Sequence, residues 1–129
     1  MTIELAPEVV ERLTGDPVVA HLATSVDDRP HVAQVWYVYA DGVVELTTTG
    51  RKLANLRRNP RVALSFGEEV AGVPEWTVTL LGTATVVEDD DAFEAANRRI
   101  NAKYGARPDA HAENTLVRIE PASATSREY

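Results

Sequence analysis

The sequence predicts a mainly β fold, an antiparallel β-barrel with short helices attached. Runs rich in β-branched and aromatic residues recur about six times, and turn residues join several of them directly, as in hairpin-linked strands. The helical stretches are too few and too short for the alternating strand and helix units of a parallel sheet. No G-x-G-x-x-G follows the first strand, which removes the dinucleotide-binding version of such a sheet.

Each element has a local reason. Pro7 suits a first helical position and Gly15 closes the segment, so 7–14 is predicted as a short helix. VVAHLAT (18–24) reads as a strand, SVDDRP as a turn, and HVAQVWYVY (31–39) as one longer strand. Asp41-Gly42 then marks a tight hairpin into VVELTT (43–48), because both residue types tolerate positive φ. A helix of about two turns follows, with Leu53 and Leu56 on one face. It stops at Asn59-Pro60, since proline pushes the residue before it out of the helical region. RVALSF (61–66) is the next strand, GEEVAGVPE a polar loop, and EWTVTLLGTATVV (75–87) a long strand with a bulge or bend expected at Gly82. Asp91 and Glu94 fit a capping box for a helix that carries Phe93, Ala96, Ile100 and Tyr104 at helical spacing up to Gly105. The linker 106–113 leads to one final strand and a short extended tail.

A chain of 129 residues with 44% hydrophobic composition is expected to form a single domain over 1–129. No apolar run approaches the roughly 18 residues of a membrane span, and the N-terminus lacks a basic segment followed by an apolar block. These features predict a soluble cytoplasmic protein without a membrane partner. Cysteine is absent, which excludes disulfides, thiolate nucleophiles and cysteine-ligated metals. A net charge of -7 argues against nucleic acid as a partner, because polyanion binding needs a broad basic surface.

Few residues carry a catalytic signature. His21, His31 and His111 lack metal-ligand spacing and read as structural or surface residues, and no serine lies in a nucleophile elbow. The acidic run 88–91 precedes a helix, where favourable interaction with the helix dipole accounts for it without a metal. Trp36 and Tyr37 are adjacent in a predicted strand and point to opposite faces, so one belongs to the core and the other borders a pocket or a subunit contact.

The segment TTTGRKLANLRRNPR (47–61) stands apart. It holds five of the chain's 13 basic residues with no acid among them. Thr47, Thr48 and Thr49 leave a strand as Arg51 and Lys52 begin a helix. Hydroxyls, free helix N-terminal amides and two cations then converge, which is the chemistry of a phosphate or carboxylate site. A basic face that merely balances acidic surface is the competing account. Arg57, Arg58 and Arg61, further along, are expected to lie on the surface or at a subunit contact and to pair with acids.

From VVAHLAT through RPHVAQVWYVYADGVVELTTTGRKLANLRRNPRVALSF to WTVTLLGTATVV, the chain resembles the flavin-binding split barrels related to pyridoxamine 5'-phosphate oxidase, including small deazaflavin-dependent reductases. The most specific portion is the strand followed by TTxGRKxxNLxxNPRVAL. The resemblance implies a six-stranded split barrel and a homodimer with cofactor sites at the subunit interface. It implies FMN as cofactor, with the deazaflavin coenzyme F-420 as the alternative. Gln34, Val35 and Trp36 would run beside the ring, mainly through backbone groups. Thr47 and Thr48 would approach the ring edge and ribityl chain, and Arg51 and Lys52 would hold the phosphate. The implied activity is hydride transfer between cofactor and a small acceptor, with a flavin-binding or storage protein that does not turn over as the alternative.

Departures from the oxidase pattern matter equally. Ala33 and Val38 stand where the oxidases carry Arg and Lys, and Thr77 stands where a glutamine from the partner subunit contacts the flavin. The sequence ends at SREY without the Arg-x-His that binds the oxidase substrate. A working pyridoxine phosphate oxidase is therefore not expected.

Overall fold

The computed structural model describes residues 3–129. In chain order the elements are α1 (Pro7–Thr14), β1 (Ala20–Val26), β2 (Arg29–Val35), β3 (Val38–Ala40), β4 (Val43–Thr48), α2 (Gly50–Arg58), β5 (Arg61–Val70), β6 (Val73–Val87), α3 (Asp90–Lys103) and β7 (Thr115–Glu128). The strands form one sheet, antiparallel throughout, in the order β2-β1-β5-β6-β7-β4-β3.

The two edges of that sheet, β2 and β3, are consecutive in the chain and separated only by Trp36 and Tyr37. Three residue steps span at most about 11 Å, whereas seven strands laid flat would cover roughly 29 Å from first to last. The sheet must therefore roll until its edges nearly meet, with no ladder between them. This makes a barrel that is split rather than closed.

Seven strands replace the expected six because the run 31–39 is not one strand. It changes edges at Trp36 and Tyr37, a break that a continuous β-branched and aromatic pattern does not announce. A second difference lies in 67–75, expected to be a loop. It is the tip of a long β5-β6 hairpin that pairs as far as Val70 and Val73. Ala71 and Gly72 turn it at φ 52° and 81°, the positive values of a two-residue hairpin turn. Alanine is a poor signal for such a turn, whereas Asp41-Gly42, at φ 52° and 83°, behaves as expected. The tail after 120 also belongs to a strand, since β7 pairs with β6 out to Glu128 opposite Trp76.

Gly82 lies where the β6-β7 register shifts, as anticipated. A Cβ there would stand 2.5 Å from the Glu120 carbonyl oxygen, so only glycine permits the approach. The cap of α3 differs from expectation. Asp89, not Asp91, accepts a hydrogen bond from the Ala92 amide at 3.0 Å, while Glu94 pairs with Arg98 further along the helix. Glu88 pairs with Arg57, and Arg58 with Asp27, so one residue of the acidic run and two of the basic segment are engaged in surface ion pairs.

The core fills the rolled sheet. Leu22, Val44, Leu46, Leu64, Phe66, Val78, Leu80, Val117 and Ile119 are buried, and Val9 and Leu13 of α1 pack onto the same cluster. Tyr37 is the large aromatic at its centre, fully buried, edge-on to Phe66 at 4.8 Å and donating its hydroxyl to the Leu13 carbonyl at 2.9 Å. Glu45 is buried on β4 and receives hydrogen bonds from Arg99 of α3 and from Arg118, its cross-strand partner on β7. Burial alone would raise its pKa. The two guanidiniums outweigh that by hydrogen bonding and charge and hold the carboxyl below its ordinary value. No helix is long and apolar enough to cross a membrane, among the described residues.

Candidate functional site

The junction between β4 and α2 forms one wall of the site. Thr47 and Thr48 end the strand opposite Leu116 and Thr115. Thr49 occupies the N-cap position with extended backbone, yet its side chain makes no capping bond, and the first turn of α2 carries no acid. The first-turn amides are therefore without a side-chain acceptor, which favours an anion at this end. Gly50 adopts φ 69°, a left-handed conformation that glycine tolerates and that lets the chain turn sharply from strand to helix.

Thr47, Thr48, Thr49 and Lys52 border a cavity of about 480 Å³, within the size range of small-ligand sites. Gln34, Val35 and Trp36, at the end of β2 and the start of the crossing to β3, form its floor. The opposite wall comes from α3 and the segment after it, through Asn101, His111, Glu113 and Asn114. Asn114 donates to the Thr47 hydroxyl at 3.2 Å and joins the two walls. Thr48 Oγ1 is buried without a hydrogen-bond partner, and so is Asn101 Oδ1. Unpaired buried polar atoms are uncommon, and here two of them belong to residues that border one cavity.

The floor is held from behind. The Trp36 ring stacks on Tyr104 at 4.8 Å with an interplanar angle of 2°, and meets His111 edge-on at 5.5 Å. Lys103 donates to the Tyr37 carbonyl at 3.0 Å and sits 3.6 Å over the Tyr37 ring. Burial lowers the Lys103 ammonium to a pKa of about 8. Burial also raises the Tyr104 phenol to about 12, against a smaller lowering from its bond with the Tyr37 amide. The Tyr37 phenol is raised first by burial and then by the charge of Tyr104.

Of the residues singled out from the sequence, Gln34, Val35, Trp36, Thr47, Thr48 and Lys52 come together around the cavity. Arg51 is exposed and does not border it. Thr77 lies elsewhere, on β6 between Gly67 and Arg127, with its hydroxyl 3.4 Å from that of Tyr129. Trp36 and Tyr37 divide as expected, the tyrosine into the core and the tryptophan toward the cavity. Thr49, read with Thr47 and Thr48 as part of an anion site, borders it too, whereas sequence reasoning missed Asn101, Asn114 and His111 as cavity residues. One signal was present. Asn97 and Asn101, four apart in the second half of α3 and both buried, are poor helix formers that need a tertiary reason to be there. Both donate to the Ala110 carbonyl and fasten the segment that carries His111.

An antiparallel sheet rolled to a narrow split, with a cavity opening beside the crossing and a helix start without a side-chain cap on its wall, defines the split-barrel class. The family model described as pyridoxamine 5'-phosphate oxidase matches residues 5–127, and the chain belongs to that family. Among solved structures, an F420 reductase is 27% identical, with 93% of this chain and 98% of that one covered and a TM-score of 0.74. An FAD-binding protein from Mesorhizobium loti is 24% identical over 100% and 97% of the two chains, with a TM-score of 0.79. The haem-storage protein HutZ from Vibrio cholerae is 20% identical over 98% and 95%, with a TM-score of 0.74. At these last two identities the likeness concerns the fold alone. No curated protein matches the chain.

Proposed function

We propose that the protein binds FMN in the cavity beside the crossing and, as a homodimer, transfers hydride between the flavin and a small planar acceptor. The observation that carries this reading is the convergence of the uncapped start of α2, Thr47 to Thr49 and Lys52 on one side of a cavity that a flat ring could enter. Lys52 and the free amides suit a phosphate, with exposed Arg51 reaching the same group from outside. The orphaned Thr48 hydroxyl fits a ribityl hydroxyl or the ring edge. Backbone groups of residues 34–36 orient the ring.

When bound, the flavin supplies the two-electron chemistry, so the chain need supply only binding, orientation and exclusion of water. Gln34, Val35 and Trp36 shield one side of the cavity, and Lys52 fixes the anionic end. Thr77 is proposed to reach the cofactor of the partner subunit. The homodimer is supported by the outer face of the sheet, where a shallow groove of about 470 Å³ runs over Ala23, Pro30, Ala63, Leu81 and Ala122. Leu81 in the groove remains 51% exposed and Val32, the cross-strand partner of Ala23, 65% exposed, an apolar surface that a second copy would cover.

The alternative cofactor is the deazaflavin coenzyme F-420. It is favoured by the similarity to an F420 reductase and by Ala33 and Val38, which leave fewer cations than an oxidase phosphate site. The same substitutions argue against pyridoxine phosphate oxidation. Titration with FMN and with F-420, followed by reduction of a panel of quinones, tests the reading. Tight binding of one cofactor with acceptor reduction supports it. Tight binding without any turnover would favour storage, and binding of neither would overturn it. Sedimentation at micromolar concentration tests the dimer.

A further inference from the structure

The crossing from β2 to β3 leaves its backbone outside every ladder, because β2 and β3 pair only with β1 and β4. Buried backbone groups need partners, and those of fully buried Tyr37 are served by two consecutive residues at the end of α3. The Tyr37 carbonyl accepts from Lys103 Nζ at 3.0 Å, and its amide donates to the Tyr104 hydroxyl at 3.4 Å. The same hydroxyl donates to the Val18 carbonyl at 2.7 Å, next to Val19, which borders the cavity. The Tyr104 ring covers Trp36, and the Lys103 ammonium lies over the Tyr37 ring. Two neighbouring side chains thus hold the crossing by its carbonyl, its amide and both of its aromatic rings.

We infer that Lys103 and Tyr104 are positioning residues for the ligand cavity, setting the backbone of residues 34–37 against which a planar ligand lies. Neither borders the cavity itself, so they act through Trp36 and Tyr37. A bond in the ladder of a sheet would fix this backbone permanently. A clamp made by one helix end instead makes the floor of the cavity depend on the docking of α3, whose last turn and following segment supply the opposite wall. One helix thereby sets both the floor and the far wall. The inference rests on the flavin reading only for its choice of probe.

The test compares Lys103→Met, Lys103→Arg, Tyr104→Phe and Tyr104→Leu with the wild type. In the ligand-free proteins, amide hydrogen exchange is measured, together with Trp36 emission in a Trp76→Phe background; FMN and F-420 affinities follow. Lys103→Met and Tyr104→Leu are expected to accelerate exchange at Tyr37 and its neighbours about tenfold or more, with the rest of the sheet unchanged, and to weaken binding of the preferred cofactor about tenfold. Lys103→Arg should restore both, because a guanidinium can still donate to the Tyr37 carbonyl. Tyr104→Phe keeps the stack and should shift exchange with little change in Trp36 emission. Unchanged exchange at Tyr37 in both Lys103→Met and Tyr104→Leu would overturn the inference. So would acceleration spread evenly over the sheet, or local acceleration with affinity unaltered. If the wild type binds neither probe, the flavin reading falls, and the exchange pattern alone decides whether the clamp exists.

Discussion

The two sides of the cavity are built on different principles. The β4-α2 junction takes Thr47, Thr48, Thr49 and Lys52 from six consecutive residues, and local backbone geometry assembles them. The floor and far wall take residues 34–36, Asn101, His111 and Asn114 from segments far apart in the chain, and only tertiary packing brings them together. The first is a motif laid on the surface of a strand-to-helix turn, while the second shares its parts with the core. Changes at the junction should therefore alter binding with little effect on folding. Changes at the crossing should alter both.

The largest expected effect tests the second half of that contrast. Tyr37→Ala removes a fully buried aromatic ring, its bond to Leu13 and the ring beneath the Lys103 ammonium, and should cost about 3–5 kcal/mol of stability in chemical denaturation. A cost below about 1 kcal/mol would show that the crossing is independent of the core. Next in size, replacing Arg51 and Lys52 together by alanine should weaken cofactor binding by roughly a hundredfold while the thermal midpoint stays within a few degrees. Cavity-facing Lys52 should carry most of this loss and exposed Arg51 the lesser part. Equal affinities for wild type and double variant would remove the junction from the site.

Glu45→Gln comes third, because this carboxylate ties the far wall to β4 through Arg99 and to β7 through Arg118. It should cost about 1–3 kcal/mol, as expected for a lost charge-assisted network. Its lowered pKa sets the sign of the pH dependence. The contribution is complete above pH 4.5, the unfolded value, and is lost as pH falls through the lower folded value. Wild type and variant should therefore converge in acid.

The smallest effect concerns Lys103. Its pKa falls from 10.5 to about 8 on folding, so between these values the unfolded chain binds more protons and stability gains with pH. Relative to Lys103→Met, the wild type should become more stable as pH rises from about 8 to 10. The comparison with the variant cancels the opposing ionisation of Tyr37 and Tyr104, whose raised pKa values make high pH destabilising. A flat difference across that range would mean that the ammonium is not desolvated at the crossing.

How much could be read in advance follows the same division. Thr47, Thr48 and Lys52 were legible because hydroxyls, glycine and cations at a strand-to-helix turn carry their chemistry in sequence order. The end of α2 followed from Asn59-Pro60, and the Asp41-Gly42 hairpin from residues that tolerate positive φ. The break at Trp36 and Tyr37 was not legible, since a strand that leaves one sheet edge for the other keeps the same residue preferences on both sides. Ala71 hid the β5-β6 turn for want of asparagine or aspartate. Glu45 gave no hint of its burial, because its two partners lie 54 and 73 positions further along the chain. His111 lacked metal-ligand spacing and so read as surface. Its cavity position depends on Asn97 and Asn101 gripping the Ala110 carbonyl.

The strand order has a consequence for how the protein comes into being. β4 has β3 on one side, but its other neighbour is β7, so that Thr47 waits for Leu116 and Thr48 for Thr115. On a chain synthesised from its N-terminus, the strand that carries the threonines has an unpaired edge until β7 has emerged. Such long-range pairing is slow to form. The cavity is accordingly completed only once β7 has docked beside β4, and the newly made chain is ready for a ligand there no earlier.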